Sequence, residues 1–157
     1  MAPRETANST ALFATIARDA IRDLVACYNS FGDAGRFEQL LQLFGADAVM
    51  ETYTLDGSSS RYDGIEAIAT LFLGAQERFR SEPTIGGYIR HFTSTHQIDI
   101  LPESCATGRL YFAVLAPHGL DHWGRYVDRY SVVDDEWRFS ERKVYVEGSS
   151  PSGTFED

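Results

Sequence analysis

The chain has 157 residues and a formal net charge of −9. This length predicts a single domain whose core is large enough to hold an internal pocket. The acidic balance, with no basic face, argues against a nucleic-acid partner. No apolar stretch approaches the ~20 residues needed to span a bilayer, so no membrane partner is expected.

The first half of the chain predicts helices. Residues 1–8 are expected to be a disordered N-terminus, and a single domain is expected to span residues 9–147. From about Ser9 to Phe31 apolar residues recur at helical spacing; they are Leu12, Phe13, Ile16, Ala20, Ile21, Leu24, Val25 and Tyr28. The sequence Gly32-Asp33-Ala34-Gly35 breaks this helix, and a second, shorter helix is expected to end at Gly45.

Strand patterns begin after the second helix. A strand is predicted over Ala48–Thr54, with a short hairpin return at Arg61-Tyr62 and a third helix over residues 65–80. A bend at Gly86-Gly87 precedes four strands, and turn residues separate them. These strands are expected near residues 88–101, 104–116, 121–134 and 136–147. Residues 148–157, rich in Ser, Gly and Pro, predict a flexible C-terminal tail.

This order of elements predicts an α+β fold. The sheet, mostly antiparallel, must curl around the three N-terminal helices in order to cover their apolar faces. A curled sheet that is closed at one end by a helix forms a cone, and its mouth is a natural pocket.

Asp33 and His91 are the strongest catalytic candidates. Alternation along the strand places Ile89, His91 and Thr93 on one face. A carboxylate at a helix end that reaches this imidazole would fix its tautomer and create a general base. Two other interpretations stay open: Asp33 as the N-cap of the second helix, and His91 as a hydrogen-bonded structural residue.

The remaining candidates are weaker. Tyr28 is expected to line the pocket, where it could also act as a proton donor. Asp128 shares a strand face with Tyr126, and an ion pair with Arg142 is its alternative role. The predicted substrate pocket comprises Tyr53, Tyr111, Phe112, Tyr126 and Asp128.

Neither a metal site nor a cofactor is expected. His96, His118 and His122 lack metal-ligand spacing, and no phosphate-binding glycine loop is present. His118 lies in a predicted turn, and His122 begins the next strand. Cys27 and Cys105 lie far apart, which predicts reduced thiols and a cytoplasmic protein.

Several short segments, in this order and spacing, carry a resemblance to a known family. They are Ala20-Ile21-Arg22-Asp23-Leu24, Tyr28 with Asp33, Phe44-Gly45-Ala46-Asp47-Ala48-Val49, Tyr62-Asp63-Gly64, Arg90-His91-Phe92, Gly124–Tyr130 and Trp137–Arg142. The chain resembles the SnoaL-like family of the nuclear-transport-factor-2-like superfamily. Within it, the chain looks closest to scytalone dehydratase, bile-acid dehydratase and hexachlorocyclohexane dehydrochlorinase.

The resemblance implies a function and its residues. It implies a mixed, cone-shaped sheet, with Asp33 holding His91 as the base and Tyr28 also functional. The implied activity is that of a cofactor-independent lyase or isomerase acting on a small hydrophobic, cyclic or polyketide-like substrate. In this role Tyr28 or Tyr111 would bind the carbonyl or protonate the leaving hydroxyl.

Two further points follow from the resemblance. A non-catalytic protein of the same fold that binds a small molecule or a partner is the main alternative, and an accessory subunit of an oxygenase is a weaker one. Relatives form trimers or dimers, and the apolar outer face expected of a curled sheet also predicts a homo-oligomer.

Overall fold

The computed structural model describes residues 3–81 and 88–155, apart from the side chains of residues 3–9 and 78–81. The predicted bend at Gly86-Gly87 lies outside the described residues. The helices are α1 (Pro3–Asp33), α2 (Phe37–Leu41) and α3 (Ile65–Ser81). The strands are β1 (Phe44–Tyr53), β2 (Ser59–Asp63), β3 (Arg90–Leu101), β4 (Cys105–Ala116), β5 (Gly119–Val133) and β6 (Glu136–Ser149).

The strands form one curled, open sheet in the order β2-β1-β6-β5-β4-β3. β1 and β6 are parallel, and every other neighbouring pair is antiparallel. α1 packs against β3 and β6, and α3 packs against β1 and β2. The predicted α+β fold, with a curled mixed sheet around the N-terminal helices, is confirmed.

The concave face of the sheet and the helices enclose the core. Helix α1 buries a stripe with the expected helical spacing, made of Ala17, Ile21, Leu24, Val25 and Tyr28. From Ile21 onwards, the stripe packs with Leu40, Phe44, Ile68 and Phe139 in one apolar cluster. Helix α1 begins at Pro3 rather than near Ser9. Its early apolar residues Leu12, Phe13 and Ile16 are exposed.

A β-bulge in β3 determines which side chains face the core. Ser94 pairs with Tyr111 and Gln97 with Arg109, so β3 contains one extra residue, and Thr95 there has φ 56°. The extra residue reverses, at this one point, the alternation of side chains between the two faces of the sheet. As a result His91 and Ile98, seven positions apart, lie on the same concave face.

The second helix is shorter than predicted. α2 ends at Leu41, and Gly45 lies in β1 instead of ending a helix. The strand begins early because the Phe139 amide of β6 donates to the Leu43 carbonyl at 2.9 Å and Phe44 packs on the Phe139 ring. These contacts are made with the far end of the chain, so helical spacing alone could not indicate them.

The C-terminal segment, predicted as a flexible tail, lies against the start of β5. The Ser150 amide donates to the Asp121 carbonyl at 2.8 Å. The Thr154 amide and hydroxyl donate to the Asp121 carboxylate at 3.1–3.2 Å. The Phe155 ring lies 4.8 Å from that of His122.

Two further features concern the cysteines and the length of the helices. Cys27 and Cys105 are both unpaired, as expected. Within residues 3–81 and 88–155, no helix is long and apolar enough to cross a membrane.

Candidate functional site

The end of α1 positions Asp33. Gly35 adopts φ 67°, and its amide donates to the Gly32 carbonyl at 3.0 Å, while the Arg36 amide donates to the Phe31 carbonyl at 2.8 Å. This pair of bonds is a Schellman motif, which terminates a helix. Asp33 is therefore the last residue of α1 and not the N-cap of α2, whose N-cap position is Arg36. The capping interpretation is wrong because Gly35 belongs to the end of the first helix.

Asp33 contacts His91 twice. The His91 Nδ1 lies 2.6 Å from Asp33 Oδ1, and the His91 backbone amide donates to Asp33 Oδ2 at 3.0 Å. β3 is an edge strand, so this amide can point away from the sheet and bind a side chain. Both side chains are largely buried, with 11% of Asp33 and 20% of His91 exposed.

This geometry assigns the tautomer of His91. An ionised carboxylate only accepts hydrogen bonds, so the Nδ1 that faces Asp33 carries the proton. The neutral ring then has its lone pair on Nε2. Within the described part of the chain, His91 Nε2 has no hydrogen-bond partner. The imidazole is thus arranged to take a proton at Nε2.

A row of aromatic rings extends from His91 into the core. The Phe112 ring centroid lies 6.5 Å from that of His91 and stacks on Tyr126 at 4.6 Å. Tyr126 in turn contacts Tyr28 edge-on at 6.2 Å. Burial raises the pKa of both tyrosines, so both phenols are neutral at physiological pH. All three side chains are buried, and the predicted role of Phe112, Tyr126 and Tyr28 in a substrate pocket stays a prediction.

Asp128 is committed to an ion pair. Arg142 Nε and Nη2 donate to its two oxygens at 2.9 and 2.7 Å, and neither side chain is exposed. The Tyr130 hydroxyl donates to the same carboxylate at 2.8 Å. The guanidinium carbon lies 4.1 Å from the Tyr28 ring centroid and 4.3 Å from that of Tyr126. Asp128 therefore forms the ion pair with Arg142 that was its alternative role.

Tyr53 and Tyr111 do not line the concave site. Tyr53 stacks on Tyr145 at 4.5 Å, and Tyr111 is 55% exposed. Strand pairing connects both to Arg125 and Tyr145 on the convex face. Tyr111 precedes the inward Phe112 by one residue, so alternation directs it outward. A groove of about 420 Å³ on this convex face includes neither Asp33 nor His91.

His122 joins the concave site, although sequence reasoning gave it no role. Val114 pairs with His91 on one side and with His122 on the other, so the three side chains form one row across β3, β4 and β5. The His122 ring lies 5.8 Å from Phe112. The adjacent letters Asp121-His122 at a strand start were the available signal. Only the pairing of three strands places this histidine beside His91.

Asp121 holds His122 in place. The His122 Nδ1 lies 2.5 Å from Asp121 Oδ1, and the His118 Nε2 lies 3.1 Å from Oδ2. Burial opposes ionisation of Asp121, but hydrogen bonds from His122 and Thr154 outweigh it and hold the pKa of this carboxyl below its usual value. Burial lowers the pKa of His122, although the contact with Asp121 raises it.

Comparison with known proteins identifies related sequences and folds. Residues 14–143 match the family model of the SnoaL-like domain. No curated protein matches the sequence.

Solved structures share the fold. An NTF2-like protein with a cystatin-like fold from Novosphingobium aromaticivorans has 22% identity and a TM-score of 0.72, covering 94% of this chain and 93% of its own. A protein from the same organism, provisionally named a scytalone dehydratase, has 20% identity and a TM-score of 0.69, covering 91% and 97%. LinA has 18% identity and a TM-score of 0.72, covering 93% and 97%.

Proposed function

We propose that this chain, which belongs to the SnoaL-like family, is a cofactor-independent lyase or isomerase. The observation that carries the proposal is the 2.6 Å contact between Asp33 and His91, whose second ring nitrogen has no hydrogen-bond partner among the described residues. The dehydratase-type names among proteins of this fold agree with it. The activity belongs in the cytoplasm, where two unpaired thiols stay reduced.

His91 removes a proton from carbon. Its Nε2 takes the proton next to a carbonyl, and Asp33 stabilises the imidazolium that forms. The pair of electrons left on carbon forms the new double bond as the leaving group departs, or is reprotonated at another position in an isomerisation. General base catalysis of this kind contributes typically 10²–10⁴-fold.

The surroundings of His91 favour a small hydrophobic substrate. Phe112 and Tyr126 form an aromatic wall, and both are almost fully buried. Aromatic walls suit flat, cyclic or polyketide-like molecules. The neutral phenols of Tyr126 and Tyr28 are donors for a substrate carbonyl, and this is the role that we propose for Tyr28.

Two model substrates test the proposal. 5-Nitrobenzisoxazole needs only a base, because loss of its ring C–H proton breaks the N–O bond and releases a stable phenolate. The aldol of acetone and 4-nitrobenzaldehyde also has to lose hydroxide. We expect the wild-type protein to accelerate both reactions, and His91→Asn to lose at least 10-fold on each while it keeps a donor for Asp33.

The control is His96→Asn, which changes a histidine of the same strand that contacts Tyr130 instead. It should retain both rates within about 2-fold. Equal rates in wild type and His91→Asn, or no acceleration by the wild type, would overturn the proposed function. Saturable binding of the substrates without turnover would favour the alternative, a binding protein of the same fold.

A further inference from the structure

His122 has the same local arrangement as His91. Each ring presents Nδ1 to a buried carboxylate, Asp33 for His91 and Asp121 for His122. Each is mostly buried, with 20% and 16% of the side chain exposed. Within the described residues, neither Nε2 has a hydrogen-bond partner. The chain thus holds two oriented imidazoles, whereas proton abstraction requires one.

The two imidazoles share one stretch of the concave face. Strand pairing places only Val114 between them, and this residue is 1% exposed. The Phe112 ring contacts both, at 6.5 Å from His91 and 5.8 Å from His122. A positive charge on His91 would also lower the pKa of His122. A substrate on Phe112 would therefore meet both rings.

The C-terminal segment and the β4–β5 turn fix His122 from outside. Asp121 accepts hydrogen bonds from Thr154 and lies 3.1 Å from His118 Nε2, and Phe155 covers the His122 ring edge-on at 4.8 Å. The ring is thus enclosed between Phe112 and Phe155. A surface histidine would need none of these supports.

We propose that His122 is a second catalytic residue of this site, the acid that protonates the leaving oxygen, with Asp121 as its positioning residue. The inference rests on the proposed function. In an elimination, the C–H proton moves to His91 Nε2 and its electron pair forms the C=C bond. The C–O bond breaks, and the departing oxygen takes the proton of His122 Nε2 to leave as water. Solvent then returns His91 and His122 to their starting protonation states.

The pH dependence of this step has a defined direction. The charged groups that act on His122 are Asp121 on its own strand and His91 on β3, while His118 in the turn contacts the other oxygen of Asp121. Burial lowers the pKa of His122 below its ordinary value, so its acid form accumulates only on the acidic side of neutrality. Dehydration should therefore reach its highest rate at a lower pH than benzisoxazole opening, which needs no acid.

The test uses His122→Asn on the two model substrates. The asparagine amide can still donate to Asp121, so the contacts of the C-terminal segment are kept. We expect dehydration of the aldol to fall at least 10-fold and benzisoxazole opening to stay within about 2-fold. His96→Asn, which changes a histidine of β3 that contacts Tyr130 instead, is the control and should leave both rates nearly unchanged.

The outcomes separate the two proposals. Loss of both reactions in His91→Asn, with dehydration intact in His122→Asn, would overturn only the role of His122. An equal loss of both reactions in His122→Asn, or acceleration of benzisoxazole alone by the wild type, would also overturn it. If the wild type accelerates neither, the proposed function fails as well.

Nitrogen NMR of the histidine rings gives a readout that does not depend on turnover. In His91→Asn the positive charge beside His122 is removed, so the pKa of His122 should rise. The same variant should leave the titration of His118 unchanged. An unchanged His122 titration would mean that the two rings do not share a site.

Discussion

At the scale of single residues, Asp33 occupies a position that helix stability alone would not favour. It ends a helix of 31 residues that has no basic residue in its last turn, so its charge faces the negative end of the helix dipole. Two hydrogen bonds to His91 offset this cost. A residue placed against the local electrostatics, and satisfied only by a partner 58 positions away, indicates a role in the site.

Asp33→Asn separates this role from folding. We expect the rate of benzisoxazole opening to fall at least 10-fold, because an amide can donate to His91 Nδ1 and leave the wrong ring nitrogen protonated. The midpoint of urea unfolding should change little, since removing a carboxylate from the helix end compensates for the weaker hydrogen bond. Asp19→Asn, an exposed carboxylate on the same helix, is the control for both measurements.

The sequence predicted Asp33 and His91 because each carries a local signal, a helix break and an alternating strand. It assigned the adjacent residues Tyr111 and Phe112 to the same pocket, whereas Tyr111 is exposed and Phe112 is buried. One position along a strand reverses the face. No sequence signal distinguished His122 from His118 four residues earlier. The pairing of β4 with β5 decides which of the two histidines lies on the same face as His91.

At the scale of elements, the carboxylate of Glu51 links strands β1, β2 and β6 at one edge of the sheet. Glu51 of β1 accepts a hydrogen bond from Tyr53 at 2.7 Å and contacts Lys143 of β6 at 3.1 Å. Arg61 of β2 contacts its other oxygen. The hydrogen bond from the Tyr53 hydroxyl is the largest cause that lowers the pKa of Glu51. Together with Lys143 and Arg61 it brings this pKa to about 2.

This network predicts how stability depends on pH. The pKa of Glu51 in the folded chain lies below its ordinary value of 4.5, so its stabilisation is complete above that pH and is lost as the pH falls towards 2. In Glu51→Gln the free energy of unfolding should therefore decrease less steeply over this range. The measurement is urea unfolding at several pH values.

Glu136→Gln is the control, because the Glu136 side chain is exposed and pairs with Arg138 on its own strand, away from Glu51. Its pH profile should match that of the wild type. If the free energy of unfolding falls equally steeply with decreasing pH in Glu51→Gln and in the wild type, the ionised Glu51 network does not contribute to the loss of stability in acid.

Elements were predicted best where their signal is local. The long helix, the third helix and the four late strands follow from periodicity and turn residues. The bulge at Thr95 depends on the pairing of β3 with β4. The packing of residues 150–155 depends on β5, and the Ser, Gly and Pro content of these residues predicted no partner for them. A buried carboxylate at Asp121 supplies that partner, and a composition argument cannot indicate it.

At the scale of the whole molecule, the convex face of the sheet exposes a large apolar area. We define the convex patch as Phe92, Tyr111, Leu115, Leu120 and Trp123, which are between 36% and 58% exposed. Strand pairing makes these residues neighbours across β3, β4 and β5. An apolar patch of this extent is typical of a protein interface.

We propose that copies of the chain associate through the convex patch, as a trimer or a dimer. Trp123→Glu should shift the mass measured by light scattering to that of a single chain, because a charge would be buried in the interface. Leu12→Glu, on the exposed face of α1, should keep the assembly. A monomeric wild-type protein at micromolar concentration would contradict the proposal.

The location of the proton on the ring of His91 tests the central claim most directly. Nitrogen NMR of the isotopically labelled protein, recorded with the His91 ring in its neutral form, distinguishes the two tautomers. We expect the proton on Nδ1, shared with Asp33, and a lone pair on Nε2, with the tautomer changing in Asp33→Asn. A wild-type ring protonated on Nε2 would leave no base facing the substrate and would contradict the account.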